Sequence, residues 1–225
     1  MNKTEYWFLD AAIELKVPLY WLSASNVDEM LNRPHHNLSA QALLEVLEQM
    51  FDRGELFLEY TNRYKQSYRT QAPSRRAIES ALFMTTDEWM GRPEQVMYGV
   101  TGRGGATWET LSQPQWDRFY VEGYGINPYE GEITASERGL VEQLLRRAPY
   151  DSMVKAIVPE SIRWSVLHPW EATYWKQVPI GYQVEFTYLT RSGDEEMPLP
   201  PKWVRRWYQL RHRWYTHYLE TGSEV

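Results

Sequence analysis

The stretch from Leu38 to Tyr60 leaves this chain few ways to fold. Ser39 stands where a helix N-cap belongs, and Leu38 and Leu43 have the spacing of a hydrophobic staple across it. Leu43, Leu47, Met50 and Phe51 then recur on one helical face, and Gly54 supplies a C-terminal stop. Leu56-Phe57-Leu58-Glu59-Tyr60 follows at once as a strand. The spacing therefore predicts a helix over about Ser39–Arg53 joined to a strand by a single glycine turn. A second strand is expected over Val96–Val100. From there Thr101-Gly102-Arg103-Gly104-Gly105, read as a tight turn needing positive φ, leads into a helix ending near Leu111.

Other segments give weaker signals. Tyr6, Leu9, Ile13 and Val17 predict a helix over Thr4–Lys16, stopped by Pro18. A short helix is expected over Val27–Leu31, and a turn at Arg33–Asn37. Asn62–Gln95 reads as irregular, with one helix from Pro73 to Met84 opened by Pro73 and Ser74. Beyond Trp116, Tyr124–Pro128 reads as loop. Thr134-Ala135-Ser136-Glu137 matches a capping box for a helix running to about Arg147. Ile162–Leu167 and the alternating Tyr182–Tyr188 read as strands, and Arg191–Asp194 as a turn. A final helix places Trp203, Trp207, Leu210, Trp214 and Tyr218 on one face, expected to dock in the core.

Helix, glycine, strand, long excursion, strand and the closing Val100-Thr101-Gly102-Arg103-Gly104 together resemble the winged-helix regulators. Their closing motif reads Leu-Thr-x-x-Gly, and Val100 takes the place of the leucine. The resemblance spans roughly residues 4–112, with its motifs between Leu38 and Trp108. It implies that Ser39–Arg53 is the groove-entering helix and that Asn62–Arg76 belongs to the wing. The expected fold class is α+β. A winged-helix-like unit, 1–116, with a long insertion between its wing strands, packs as one compact body with a smaller mixed α/β unit, 117–225, that ends in the aromatic helix.

Charge decides how that resemblance is read. The chain carries a formal net charge of −6. Residues 61–76 nonetheless hold five basic side chains and no acidic one: Arg63, Lys65, Arg69, Arg75 and Arg76. The polar face of Ser39–Arg53 carries Glu45, Glu48 and Asp52 where a phosphate-rich groove calls for Lys and Arg. The function expected is accordingly a non-enzymatic one. An acidic winged-helix-like surface, with Glu45, Glu48 and Asp52 as its contact residues, binds another protein in the manner of bacterial adaptor or immunity proteins. The alternative is a transcription regulator touching DNA through the five basic residues of 63–76. A second alternative is a small-molecule-binding protein or enzyme using the Trp-rich region 164–182, with His168, Trp170, Trp175 and Lys176 lining a cleft.

Several chemistries find no support. With no cysteine there is no disulfide, thiolate nucleophile or Cys-ligated metal. His212 and His217 are five apart rather than four, and His35 and His36 point apart if the chain is extended, so no metal site is expected. The glycine turn lacks the Lys-Ser/Thr of a P-loop, and no cofactor is implied. No catalytic residue is assigned. No apolar run approaches the ~20 residues of a membrane helix, and the N-terminus lacks the apolar stretch of a signal peptide, so a cytoplasmic protein without membrane contact is expected.

Overall fold

The computed structural model describes residues 1–62, 64–125, 129–191, 195–211 and 214–215, with 208–211 as backbone only. The fold is α+β, with antiparallel sheets throughout. It divides into two compact units. The first is Met1–Ser112 with Thr173–Trp175, and the second is Gln113–Ala172 with the described residues from Lys176 on.

The first unit opens with α1 (Lys3–Ala11). Asn2 caps it, and the Glu5 carboxylate accepts the Asn2 N–H in return, completing a capping box. The expected helix to Lys16 stops short at Ala11. The carbonyls of Ala12 and Ile13 are taken by side chains, the Tyr174 hydroxyl (2.5 Å) and the Trp175 indole N–H (2.7 Å). The chain then turns into β1 (Val17–Pro18), an edge strand that tolerates proline. A five-residue 3-10 turn, Leu19–Ser23, leads to α2 (Val27–Leu31).

α3 (Ala40–Asp52) forms where the sequence placed it. Ser39 accepts the Ala42 N–H, and Leu43, Leu44, Leu47, Met50 and Phe51 are buried. Gly54, at φ 67°, makes the turn into β2 (Leu56–Asn62). The excursion expected to be irregular is mostly regular. It contains β3 (Ser67–Thr70), hairpinned to β2, then α4 (Arg75–Leu82) capped by Ser74, and α5 (Thr86–Gly91) with a Thr85–Glu88 capping box. β4 (Glu94–Val100) returns to the sheet and α6 (Gly102–Ser112) follows. The four strands lie in the order β1-β4-β2-β3.

Two of the glycines that open α6, Gly104 and Gly105, serve close approach, not the positive-φ turn expected of the motif. Positive φ among described glycines occurs at Gly54 and Gly125. A Cβ on Gly104 would sit 2.1 Å from the Glu55 carbonyl oxygen, and one on Gly105 would strike the Trp175 ring. Thr101 ties the corner together. Its hydroxyl donates to the Gly54 carbonyl (2.7 Å) and accepts the Gly104 N–H (3.1 Å), which leaves that N–H unavailable to a phosphate. Deeper in the unit, Asp10 (4% exposed) accepts from Arg33 (2.7 Å), the Trp108 indole (2.8 Å) and the Tyr6 hydroxyl (3.2 Å). Three donors satisfy a carboxylate that would otherwise be costly to bury.

The second unit is a twisted sheet backed by a helix. β5 (Tyr120–Tyr124) pairs with β6 (Glu130–Ala135), and β6 with the long β11 (Gly181–Thr190). The other edge of β11 takes β8 (Arg163–Leu167) along its first half and β7 (Val154–Ile157) along its second. The Thr134–Glu137 capping box does not form. Thr134 and Ala135 belong to β6, and α7 (Arg138–Arg147) starts after Glu137 without a side-chain cap. Alternation explains the strand: Ile133 and Ala135 face inward with Val141, Leu144, Val184 and Phe186, while Glu130 and Glu132 are on the opposite face. A small β9–β10 hairpin (Trp170–Glu171, Gln177–Val178) follows the cis His168–Pro169 bond.

The last described helix, α8 (Lys202–Arg211), departs from its expected face. Val204 is fully buried while Trp203 is 44% exposed, so the docked side is shifted by one residue. Trp214 is buried but lies beyond the helix end; Tyr218 is outside the described residues, as is most of the 191–194 turn. No helix among the described residues is long and apolar enough to cross a membrane.

Candidate functional site

α3 offers a two-sided surface. Its inner side is the apolar stripe just described. Its outer side carries Gln41, Glu45, Gln49 and Asp52 as exposed side chains, with Glu48 half-buried at the margin. Spacings of four, four and three put these residues on one ridge. Gln41 donates its amide to Glu45 at 2.5 Å, which orders the first turns of the ridge without neutralising its charge.

The basic segment sits against acidic partners of the same unit. Arg75, at the start of α4, is ion-paired with Glu48 of α3. Arg69 on β3 pairs with Glu59 of β2 (2.5 Å) and lies 4.6 Å from the Phe57 ring centre. Glu59, nearly buried, is also paired with Lys16. Burial pushes its carboxyl upward, but the hydrogen bonds and charges of Lys16 and Arg69 outweigh that and hold it below the usual carboxylate range. Lys65, in the β2–β3 turn at φ 60°, and Arg76 are exposed. Arg63 lies outside the described residues. Two of the five candidate DNA contacts are thus engaged within the unit, and two face solvent. The exposed Tyr64 and Tyr68 flank Lys65, and Tyr68 stacks on Tyr60 with 4.8 Å between ring centres.

The four residues of the expected ligand cleft fall into separate surroundings. His168 is exposed beside the cis proline. Trp170 is buried, packed on Gly181 and 6.1 Å from the Phe119 ring. Trp175 belongs to the first unit, edge-on to Trp108 and bonded to the Ile13 carbonyl. The Lys176 ammonium lies 5.2 Å from the Trp116 ring centre in the second unit.

Histidines 35 and 36 correct another expectation. Where an extended chain would point them apart, their rings lie 4.7 Å from each other. Each Nδ1 accepts a backbone N–H two residues on. They face a shallow cleft of about 350 Å³ bounded by Leu38, Leu43, Phe83 and Met84. No group of three His, Asp or Glu side chains suited to a metal ion occurs among the described residues.

Sequence reasoning also missed Arg147. It is 1% exposed, paired with Glu122, and set 4.6 Å from the Trp207 ring centre. A buried cation on a helix, partnered from the distant strand β5, leaves no local trace. Comparison with protein-family models, curated proteins and solved structures finds no match for this chain.

Proposed function

We propose that the first unit is a winged-helix variant whose α3 ridge receives a basic protein surface, making the chain a binding protein rather than an enzyme or a DNA reader. The element order supports the winged-helix part of this reading. Helix, strand, two helices and a pair of strands occur in sequence, and β1 hydrogen-bonds to β4 beside β2. The excursion holding β3, α4 and α5 then replaces a simple wing.

The observation that carries the choice of partner is the pairing of Arg75 with Glu48 and Arg69 with Glu59. These arginines occupy the places from which a wing would grip phosphate, and they are held by carboxylates instead. Glu45 and Asp52 are left exposed on the ridge with Glu48 beside them. A phosphate backbone would be repelled there, and Lys or Arg on a protein partner attracted.

Charge reversal tests this. Glu45→Lys combined with Asp52→Lys alters exposed positions and leaves the Arg75–Glu48 pair intact. The double variant is expected to lose the partner that the native chain retains in affinity purification from its own cells. A gel shift with duplex DNA at low salt supplies the opposing arm. Salt-sensitive binding abolished by Lys65→Ala and Arg76→Ala, together with an unchanged set of purified partners, would overturn the proposal in favour of DNA.

A further inference from the structure

The larger sheet of the second unit ends, along part of one side, at β8. This strand pairs with the first half of β11, and among the described residues no backbone group hydrogen-bonds to its outer edge. Arg163, Trp164, Ser165 and Val166 are all exposed. Every second residue of an edge strand turns its N–H and C=O outward, so β8 offers solvent a row of groups that a further strand could pair.

The other edges of the two larger sheets are protected. β1 has two residues, one of them Pro18, and β3 has four and carries Arg69. β7 has four, includes Lys155, and meets β11 with a register shift between Leu189 and Thr190. β5 turns the Glu122 carboxylate inward onto Arg147. Short length, proline, charge and broken register each discourage a further strand. β8 has five residues in unbroken register with β11, no proline or lysine, and a single charge, Arg163, at its first position.

The side chains of β8 indicate what fits there. Trp164 and Val166 lie on the face that α7 covers. Trp164 is in register with the buried Val184, and the Arg138 guanidinium of α7 lies 4.8 Å from its ring centre. Even so, Trp164 is 38% and Val166 50% exposed. Arg163, Ser165 and Leu167 lie on the opposite face. A two-fold axis normal to the sheet through Ser165 matches this strand to itself. Each Trp164 then stands opposite Val166 of the second copy, an aromatic and β-branched pair, and each Arg163 opposite Leu167. The two arginines fall at opposite ends of the seam, about 14 Å apart by strand geometry and beyond a Debye length of about 10 Å. Both α7 helices stay on one side of the joined sheet. We propose that β8 pairs antiparallel with β8 of a second copy of this chain. Two strands of five residues bury less than the ~1,200 Å² of a stable interface, so the dimer is weak, with a Kd on the order of 100 μM. The inference rests on the second unit alone and is independent of the α3 reading.

Sedimentation equilibrium of the full chain tests it, and the native protein is expected to pass from monomer to dimer between about 10 μM and about 1 mM. Ser165→Lys sets two ammonium groups against each other across the axis, and Ser165→Asp sets two carboxylates. Each variant alone is expected to self-associate at least about tenfold more weakly than the native chain, and an equimolar mixture of the two to associate at least as tightly as the native chain. Ser165 is exposed, so the far-UV spectra of both variants are expected to match the native one. Three results would overturn the proposal. The native chain stays monomeric at about 1 mM, which leaves the edge to a strand of another protein. Both variants self-associate as well as the native chain. The mixture associates no better than either variant alone.

Discussion

His36 shows how much a single ring can be committed. Its Nδ1 accepts the Leu38 N–H (3.1 Å), so its Nε2 must carry the proton that meets the Leu22 carbonyl (2.8 Å). Trp7 and Phe8 pack against the ring at centroid distances of 5.2 and 5.6 Å. Protonating Nδ1 would set two N–H groups against each other. Burial lowers the pKa below the ordinary 6.5; the Leu22 carbonyl pulls upward, and His35 adds to the lowering. The unfolded chain therefore binds the proton more readily than the folded one. Stability from this site is complete above about pH 6.5 and declines as pH falls below it. Urea midpoints measured from about pH 7.5 to about pH 5 are expected to drop for the native chain and to drop less for His36→Gln. Equal slopes would show that the ring is not the sensor. None of this was legible from Pro34-His35-His36-Asn37. The sequence offered only two adjacent histidines, and the contacts come from Trp7 and Leu22, which are distant in the chain.

Elements were legible where their signals are local. Ser39, the Leu43–Phe51 stripe and Gly54 gave α3 almost to the residue, and Ser74 gave the start of α4. β5 and β6 were missed although the alternation of Gly131, Ile133 and Ala135 with Glu130, Glu132 and Thr134 was present. A capping-box pattern at Thr134–Glu137 competed with it, and pairing to β11, some fifty residues later, decided the outcome. The α6 corner is the clearest case of an element fixed by distance rather than by propensity. Gly104→Ala brings a methyl within 2.1 Å of a backbone carbonyl that has no rotamer to escape into. It is expected to destabilise the chain by about 2 kcal/mol or more. Gly102→Ala, in open space at the same helix start, should change stability by less than about 0.5 kcal/mol. Urea denaturation of the two variants separates them; equal losses would mean that helix propensity, not close approach, sets the requirement.

At the scale of the whole molecule, the first unit is not continuous in sequence. Thr173–Trp175 belongs to it although the chain on either side belongs to the second. Tyr174 donates to the Ala12 carbonyl and accepts the Val100 N–H (2.7 Å), while its ring meets Phe57 edge-on at 5.9 Å. Burial raises its phenol far above the ordinary range, so it stays neutral at any physiological pH. Tyr174→Phe leaves two backbone groups without that partner and should cost about 1–3 kcal/mol. A fragment ending at Ser112 loses both Tyr174 and Trp175, and its amide spectrum is expected to be poorly dispersed. A fragment with the dispersion of the full chain would refute this account of the insertion.

That discontinuity also imposes an order on synthesis. A ribosome delivers α1, the glycine corner and all four strands of the first sheet well before it delivers Tyr174 and Trp175. Until Gln113–Ala172 has emerged, the Ala12 and Ile13 carbonyls lack the Tyr174 and Trp175 donors, and the space above Gly105 lacks the Trp175 ring that fills it. The nascent first unit therefore waits, incomplete, on a tripeptide encoded far downstream.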